Sequence, residues 1–245
     1  MNTVADGRLR LHGYPVSNYF NIARAALLEK QANFEVVSLR ASRDEQFLQL
    51  SPMGKIPMLE TPHGWLAETV AILEYLEDTI ESPALYPQDA FQRARARQVI
   101  NIVQMYVEVP ARSLFPGVFS NGTNSVSAIN TAREMLDRST AALNRIVQPA
   151  PFLFGATLSH ADLFAYYCLD IAERVTQFVY DRSILGELPT WAGWPERIAS
   201  RDSTRTVLGD FDPAFAAYLV DHQAAYSVDR APLGQPASQR VELNS

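Results

Sequence analysis

The stretch PMGKIPMLE, residues 52–60, has the apolar pattern of a buried strand in its last five residues, yet Pro57 is the second of those five. Proline has no backbone N–H and cannot donate to a sheet ladder. Either Pro57 begins an edge strand, or it follows a cis peptide bond and shapes a ligand site. Because only about 5–6% of X–Pro bonds in folded proteins are cis, this stretch alone does not decide between the two.

Working outward, residues 8–80 alternate between strand and helix patterns. The predicted elements are a strand over 8–12, a helix over 21–30, a strand over 33–39, a short helix within 41–51, the strands KIPMLE and WLAE joined by TPHG at 61–64, and a helix over 69–80. Gly64 can supply the positive φ that a hairpin turn needs. Short crossovers of this kind predict one mixed sheet with helices on its faces.

The second half of the chain has helical patterns only. ESPALYPQDA (81–90) carries two prolines and is typical of a linker. Helices are predicted over 91–109, where Pro110 ends or kinks the helix, over 125–148 and over 161–179, with shorter pieces in 191–201 and 212–222. The predicted organisation is an α/β domain over 1–81, a linker over 82–90, an all-helical domain over 91–226 and a flexible, proline-rich tail over 227–245.

Composition excludes several classes of function. The chain of 245 residues has a net charge of −6 and no block of basic residues, which argues against a nucleic-acid partner. No apolar run is long enough to cross a bilayer, and the N-terminus has no apolar segment typical of a secretory signal. Cys168 is the single cysteine, so an intrachain disulfide is impossible. We therefore expect a soluble protein of the reducing cytoplasm, without membrane contact.

Residues 67–69, AET, end a predicted strand and open a helix. The free N–H groups of a helix N-terminus and the Thr69 hydroxyl can bind a carboxylate, and the neighbouring Glu68 can attract an ammonium group. Such a pair suits the end group of a free α-amino acid. The alternative interpretation is that Thr69 only caps the helix and Glu68 is a favourable charge in its first turn.

Two further positions have the chemistry of a binding site. If the Ile56–Pro57 bond is cis, the Ile56 backbone can face outward and pair with an extended peptide, with Lys55 near a carboxylate of that peptide. In the loop after the first strand, the Ser17 hydroxyl lies close to a helix N-terminus, where thiolates are stabilised, and Tyr14 offers a second hydroxyl. The alternatives are that Ser17 is a turn residue or N-cap and that Tyr14 is a half-buried aromatic.

Four segments together resemble the cytosolic glutathione S-transferase family, of the bacterial, phi/theta-like serine type. They are LHGYPVSNYFNIARAALLEK (11–30), FLQLSPMGKIPMLE (47–60), AETVAILEYLE (67–77) and FLFGATLSHADLFA (152–165). The last is also a capping box, with Ser159 at N-cap and Asp162 at N3. The resemblance runs in order from about Leu9 to about His222. It implies an α/β thioredoxin-like N-terminal domain followed by an all-α C-terminal helical domain.

The resemblance also implies a role for each matching residue. Glu68 and Thr69 would bind the γ-glutamyl end of glutathione, Ile56 beside cis Pro57 would pair with its cysteinyl backbone, and Ser17 would stabilise its thiolate. Tyr14 remains the alternative to Ser17. Lys55, and more loosely Ser42 and Arg43, would lie near the remaining polar groups of the tripeptide. The second substrate would lie in the cleft between the domains, against Met105, Tyr106, Arg112, Phe115, Phe119 and Tyr166.

The activity implied is that of a detoxifying transferase. Glutathione would be the co-substrate, a hydrophobic electrophilic small molecule the second substrate, and the protein a homodimer. No metal is expected, because His12, His63, His160 and His222 are scattered along the chain. The absence of a cysteine at position 17 argues against chemistry through a mixed disulfide. Glutathione-dependent peroxidase or isomerase activity, and a non-catalytic binding or regulatory role for the same fold, remain open.

Overall fold

The computed structural model describes residues 8–227, so the predicted tail lies outside the described residues except for Ser227. The first domain consists of β1 (Leu9–Gly13), α1 (Asn18–Glu29), β2 (Phe34–Ser38), α2 (Glu45–Leu48), β3 (Met58–Thr61), β4 (Gly64–Ala67) and α3 (Thr69–Thr79). Its sheet has the order β2-β1-β3-β4. The β1–β2 pair is parallel and the other two pairs are antiparallel. The predicted mixed sheet is therefore confirmed.

Pro57 lies just before an internal strand. The Ile56–Pro57 peptide bond is cis, and Met58, the first residue of β3, pairs with His12 on one side and Ala67 on the other. The edge-strand interpretation is therefore wrong, since β3 is paired on both sides. Gly54, in the turn before it, has φ +65°, and a Cβ added there would lie only 2.6 Å from the Ser42 carbonyl oxygen. This turn therefore requires glycine.

The second domain is built from helices. They are α4 (Ala90–Val103), a π-helical segment (Gln104–Glu108), α5 (Val109–Arg112), α6 (Phe115–Phe119), α7 (Val126–Ile146), α8 (His160–Tyr180), two 3₁₀ turns (Leu185–Glu187 and Pro189–Trp191), α9 (Trp194–Ala199) and α10 (Asp202–Asp221). No helix of the described part is long and apolar enough to cross a membrane. The predicted order, an α/β domain followed by an all-helical one, is confirmed.

The chain continues in helical form through Pro110. Proline cannot donate the hydrogen bond that an α-helix requires at that position. The chain widens into the π-helical segment just before it, and the Val109 N–H donates to the Gln104 carbonyl, five residues back. The prediction was that Pro110 ends or kinks the helix. The helix does not end there, and the chain changes locally from α-helical to π-helical winding just before the proline. π-Turns inside α-helices are frequent at functional sites.

Helix α10 is longer than the sequence indicated. It contains Pro213 in its interior, although the pattern predicts only a short helix from Asp212. On either side of the proline, Phe211 and Phe215 stack with ring centroids 5.0 Å apart, and both are buried. The buried packing of these two rings holds the helix together across the missing hydrogen bond.

Helix α8 is the central helix of the second domain and is buried along most of its length. The predicted capping box is present: the Ser159 Oγ accepts from the Asp162 N–H, and the Asp162 carboxylate accepts from the Ser159 N–H at 2.9 Å. Asp162 also accepts from the Leu153 N–H at 2.8 Å and from the Trp194 indole at 2.9 Å. One buried carboxylate thus fixes the start of α8 and two segments that pack on it.

Ion pairs hold α1 in place against both domains. Lys30, fully buried, contacts Glu77 of α3 at 2.6 Å and donates to the Ile80 carbonyl at 2.6 Å. Glu29 forms a bidentate pair with Arg201 of the second domain, with both distances 2.6 Å. These contacts fix α1, and with it the loop at its N-terminus, against the helical domain.

Candidate active site

Ser17 lies between the end of β1 and the start of α1. It is the N-cap residue of α1, and its Oγ accepts a hydrogen bond from the Phe20 N–H at 3.3 Å. Because Oγ acts as the acceptor there, the hydroxyl hydrogen can point away from the helix toward a ligand. Ser17 is half-buried and lines a cavity of about 480 Å³. An anion at this position would also face the positive end of the α1 dipole.

Two neighbouring cavities meet at this loop, and both are lined by Tyr19, Lys55, Ile56 and Arg112. The smaller, of about 180 Å³, is lined in addition by Ser51, Pro57, Glu68, Thr69, Gln104, Glu108 and Val109. The larger is lined in addition by Tyr14, Val16, Ser17, Asn18, Arg40, Ala41, Phe115, Phe119, Ile171, Phe215 and Tyr218. A ligand lying along Ile56 therefore extends from one cavity into the other.

The smaller cavity contains a strained residue. Glu68, the N-cap residue of α3, has φ +66°, which residues other than glycine adopt rarely. This conformation leaves the Glu68 side chain exposed while Thr69, the next residue, is buried. The cavity thus presents a carboxylate beside the free N–H groups of an 11-residue helix.

The larger cavity has an aromatic wall. Phe115 and Phe119 make an edge-to-face contact at 4.9 Å, and Phe119 makes a second one with Phe215 at 5.4 Å. Tyr218 continues this wall, and burial raises the pKa of its hydroxyl. The wall faces Ser17 from the helical domain. The cavity suits a small apolar or aromatic molecule held next to the Ser17 hydroxyl.

A buried hydrogen-bond network connects the two domains beside Ser17. The Glu108 carboxylate is fully buried and accepts from Tyr19 Oη at 2.9 Å, Asn18 Nδ2 at 3.3 Å and Arg112 Nε at 2.6 Å. Arg112 Nη2 also donates to Asn18 Oδ1 at 2.8 Å. Since Asn18 directly follows Ser17, the helical domain fixes the first turn of α1.

The charges in this network are mutually compensated. Burial alone would lower the pKa of Arg112, but the adjacent Glu108 carboxylate outweighs it and raises that pKa. Burial, with Cys168 and Glu108 nearby, raises the pKa of Tyr19, so its hydroxyl stays a neutral donor. Cys168 is fully buried in α8, 3.8 Å from Asn18 Nδ2, and burial raises the pKa of its thiol. Cys168 is thus a core residue next to the network.

The structure brings many of the sequence-predicted residues together at the two cavities. Tyr14, Ser17, Lys55, Ile56, Pro57, Glu68, Thr69, Arg112, Phe115 and Phe119 all line one or both. Ser42 and Arg43 are placed differently. The Ser42 Oγ donates to the Asp44 carboxylate at 2.5 Å, and Arg43 is exposed. Neither Ser42 nor Arg43 lines either cavity.

Three residues predicted for the second-substrate pocket lie elsewhere. Tyr166 is fully buried in the core, where its ring contacts Tyr167 and Trp194. Met105 and Tyr106 are 57% and 43% exposed, respectively. They lie on the outer side of the π-helical segment, whereas Glu108 of the same segment is buried against the cavity. None of the three lines either cavity.

Sequence reasoning missed several lining residues, chiefly Arg40, Asn18, Glu108, Phe215 and Tyr218. One signal was available for Arg40, which follows β2 closely. Because β1 and β2 are parallel, the loops after them lie at the same edge of the sheet, and Ser17 is in the other loop. No such signal existed for Phe215 or Tyr218, which reach the cavity from a helix almost 200 residues further along the chain. Among residues 8–227 no group of three or more potential metal ligands occurs.

Known proteins are similar to this chain in sequence. The family model described as glutathione S-transferase, N-terminal domain, matches residues 11–84. A glutathione S-transferase from Pseudomonas putida is 34% identical over 211 residues, covering 86% of this chain and 96% of the relative. The FtsZ-localized protein A of Caulobacter vibrioides is 27% identical over 228 residues, covering 84% of this chain and 93% of the relative.

A solved structure gives the same result. The crystal structure of a glutathione S-transferase from Rhodospirillum rubrum superposes with a TM-score of 0.67 at 25% identity, covering 82% of this chain and 91% of the other. The fold, the order of the sequence motifs and the extent of the identity to the Pseudomonas putida protein therefore agree. The chain belongs to the glutathione S-transferase family.

Proposed function

We propose that the protein is a glutathione transferase that binds glutathione across the smaller cavity and conjugates it to an electrophile held in the larger one. The observation that carries this proposal is the position of Ser17. Its Oγ accepts from the Phe20 N–H, so its hydroxyl hydrogen is available to a thiolate in the larger cavity, which shares Ile56 with the smaller one. Membership of the family and the identity to the Pseudomonas putida enzyme support the same activity.

In the proposed complex, the γ-glutamyl carboxylate meets Thr69 and the N-terminus of α3, and the γ-glutamyl ammonium meets Glu68. The cysteinyl backbone pairs with Ile56, which lines both cavities. This directs the sulfur toward Ser17. A hydrogen bond to a charged group contributes about 1.5–3 kcal/mol, and one pKa unit corresponds to about 1.36 kcal/mol. The Ser17 hydroxyl would then lower the thiol pKa by about one to two units.

The test is a calorimetric titration with glutathione, combined with the thiolate absorbance of the complex as a function of pH. We expect Ser17→Ala to bind glutathione with similar affinity but to raise the bound thiol pKa by about one to two units. Tyr14→Phe is the matched control, because Tyr14 lines the same cavity and also carries a hydroxyl. If Tyr14→Phe raises the thiol pKa and Ser17→Ala does not, Tyr14 is the thiolate-stabilising residue.

The second candidate function is non-catalytic binding. The identity to the FtsZ-localized protein A favours it, because that relative is named for its location and not for an activity. The same titration separates the two candidates. A wild-type chain that binds no glutathione would exclude the transferase and favour the binding role.

We also infer a homodimer, on the strength of family membership. Large apolar side chains lie exposed on the surface, among them Phe91 at 70% and Met53 at 60%, and their burial between two copies would support association. Sedimentation velocity would detect twice the 27.3 kDa mass of one chain. A single species at the mass of one chain at micromolar concentration would contradict this inference.

A further inference from the structure

We infer that the protein has a second ligand site, remote from the active site, which binds a phosphate group. The site is a cavity of about 620 Å³ between the C-terminal end of α1 and the turn from α9 to α10. Three arginines line it, Arg197, Arg201 and Arg205. Among residues 8–227, no residue that lines this arginine cavity also lines an active-site cavity. The inference goes beyond the proposed function and does not depend on it.

The packing of α1 against α10 separates the two sites. At one end of this helix pair Glu29 contacts Arg201, and further along Arg24 contacts Asp210 at 2.6 Å, so the two helices run in opposite directions. At the other end, Tyr218 and the loop before α1 line the larger active-site cavity. The 12 residues of α1 span about 18 Å, and the arginine cavity lies about this far from the active site.

The arginine cavity is electropositive although the chain as a whole has a net charge of −6. Its three arginines are opposed by two carboxylates, Glu29 and Asp202. The Glu29 side chain is only 9% exposed, and its oxygens already accept from Arg201 and from Ser203 Oγ. Asp202 is 94% exposed and pairs with Arg205, so water screens its charge. One positive charge is therefore left in excess.

Guanidinium donors remain available in the arginine cavity. Arg197 is exposed, and within residues 8–227 it forms no ion pair. Arg201 uses its Nε and Nη2 for Glu29, and no hydrogen bond in the described part of the chain uses its Nη1. The fork of N–H groups on a guanidinium matches the oxygens of a phosphate, which accept several such bonds at once. The arrangement thus suits a phosphate group held between Arg197 and Arg201.

An apolar part of the cavity lies beside these donors. Leu28 and Phe152 line it, and the Arg201 guanidinium carbon is 5.9 Å from the centroid of the Phe152 ring. The volume is in the range of small-molecule sites. An organic group attached to the phosphate can therefore contact the Phe152 ring. The phosphate group can come from inorganic phosphate or from a small phosphate monoester, and the choice of probes separates these two sources.

The test is a phosphorus NMR titration of the full chain with inorganic phosphate and, separately, with phenyl phosphate, both at constant ionic strength. We expect saturable binding to wild type, and Arg197→Gln should raise the Kd about fivefold, the upper range for an exposed ion pair. Arg205→Gln should raise it too, and this variant keeps the test decisive if Arg197→Gln does not fold. Asp202→Asn should instead lower the Kd about twofold, because it removes the opposing charge and releases Arg205.

The matched controls, Lys55→Gln and Arg138→Gln, each remove one positive charge elsewhere. Lys55 lines both active-site cavities, whereas Arg138 is an exposed residue of α7 that lines none of the three. Neither variant should change the Kd. If Lys55→Gln or Arg138→Gln raised the Kd as much as Arg197→Gln, the inference would be wrong, because phosphate would then bind in the active site or respond only to net charge. The absence of saturable binding of both probes to wild type would also overturn it.

The two probes identify the source of the phosphate group. Equal Kd values would indicate inorganic phosphate, whereas tighter binding of phenyl phosphate would indicate a monoester, since its ring can contact Phe152. The titration needs neither glutathione nor turnover, so it is independent of the proposed function. A chain that binds glutathione but no phosphate would keep the transferase and refute the second site. A chain that binds phosphate at Arg197 but no glutathione would do the reverse.

Discussion

Glu108 provides the sharpest test of how the two domains form one site. Its carboxylate is fully buried, and it accepts hydrogen bonds from Tyr19, Asn18 and Arg112. Glu108→Ala leaves the Asn18 amide and the Tyr19 hydroxyl without an acceptor, each at a cost of about 1 kcal/mol or more. Arg112 loses its partner too, but its side chain is 41% exposed and can be rehydrated, so its share is only about 1 kcal/mol. We expect Glu108→Ala to lower the free energy of unfolding by about 3 kcal/mol.

Glu108→Gln separates the charge from the hydrogen bonds. The amide oxygen can still accept from Arg112 and Asn18, and the amide nitrogen can donate to the Tyr19 oxygen. This variant therefore loses mainly the ionic contribution, about 1 kcal/mol. The difference between the two variants, about 2 kcal/mol, measures the hydrogen bonds that join α1 to the helical domain.

The assay is urea denaturation at pH 7, with thermal unfolding as a second readout. For a domain of 150–250 residues, 1 kcal/mol shifts Tm by about 2–4 °C, so Glu108→Ala should lower Tm by about 6–12 °C. Asp202→Asn is the control, because the ion pair between Asp202 and Arg205 is exposed. Its loss should lower the free energy of unfolding by less than about 0.5 kcal/mol. A loss below about 0.5 kcal/mol in Glu108→Ala would refute the reasoning, because the network would then contribute no more than a surface pair.

Three further predictions concern other carboxylates. Burial alone would raise the pKa of Glu77, but His160 and Lys30 outweigh it and lower that pKa to about 2. Since the unfolded state then binds more protons than the folded state, the free energy of unfolding of wild type should fall by about 2 kcal/mol as the pH falls from about 4.5 to about 2. Urea titrations of Glu77→Gln should not show this decrease. Glu68→Gln should raise the Kd for glutathione about tenfold in calorimetry without unfolding the chain, and an unchanged Kd would exclude contact with the ammonium group. Asp162→Ala should lower the unfolding free energy by about 3 kcal/mol in urea, whereas a loss below about 1 kcal/mol would mean that its hydrogen bonds are replaced by water.

The elements of the fold were largely accessible from local patterns. The strand and helix periods of the first domain and the capping box at Ser159 depend on residues close together in the chain, and the sequence predicts both. The predicted helix at the position of α10 is too short because Pro213 locally favours a helix break. Its continuation depends on the buried rings of Phe211 and Phe215, and such packing has no local pattern.

The candidate site divides in the same way. Ser17, Ile56, Glu68 and Thr69 could be named because each stands in a local motif at the end of a strand or the start of a helix. The family resemblance implied a place for Tyr166 in the pocket, yet the structure places this residue in the core because α8 is buried on nearly all sides. A helical pattern shows which residues are apolar, but not which apolar neighbour covers them.

By itself, the sequence determined the two-domain order, the motifs around Pro57 and the residues proposed for the glutathione end of the site. Only the tertiary structure decided the internal position of β3, the pairing of Glu108 with Asn18 and the position of Arg40 over Tyr14. The physical reason is the range of the interactions. Hydrogen bonding within turns and helices is set by neighbours in the chain, whereas a shared cavity and a buried ion network depend on which distant surfaces pack together.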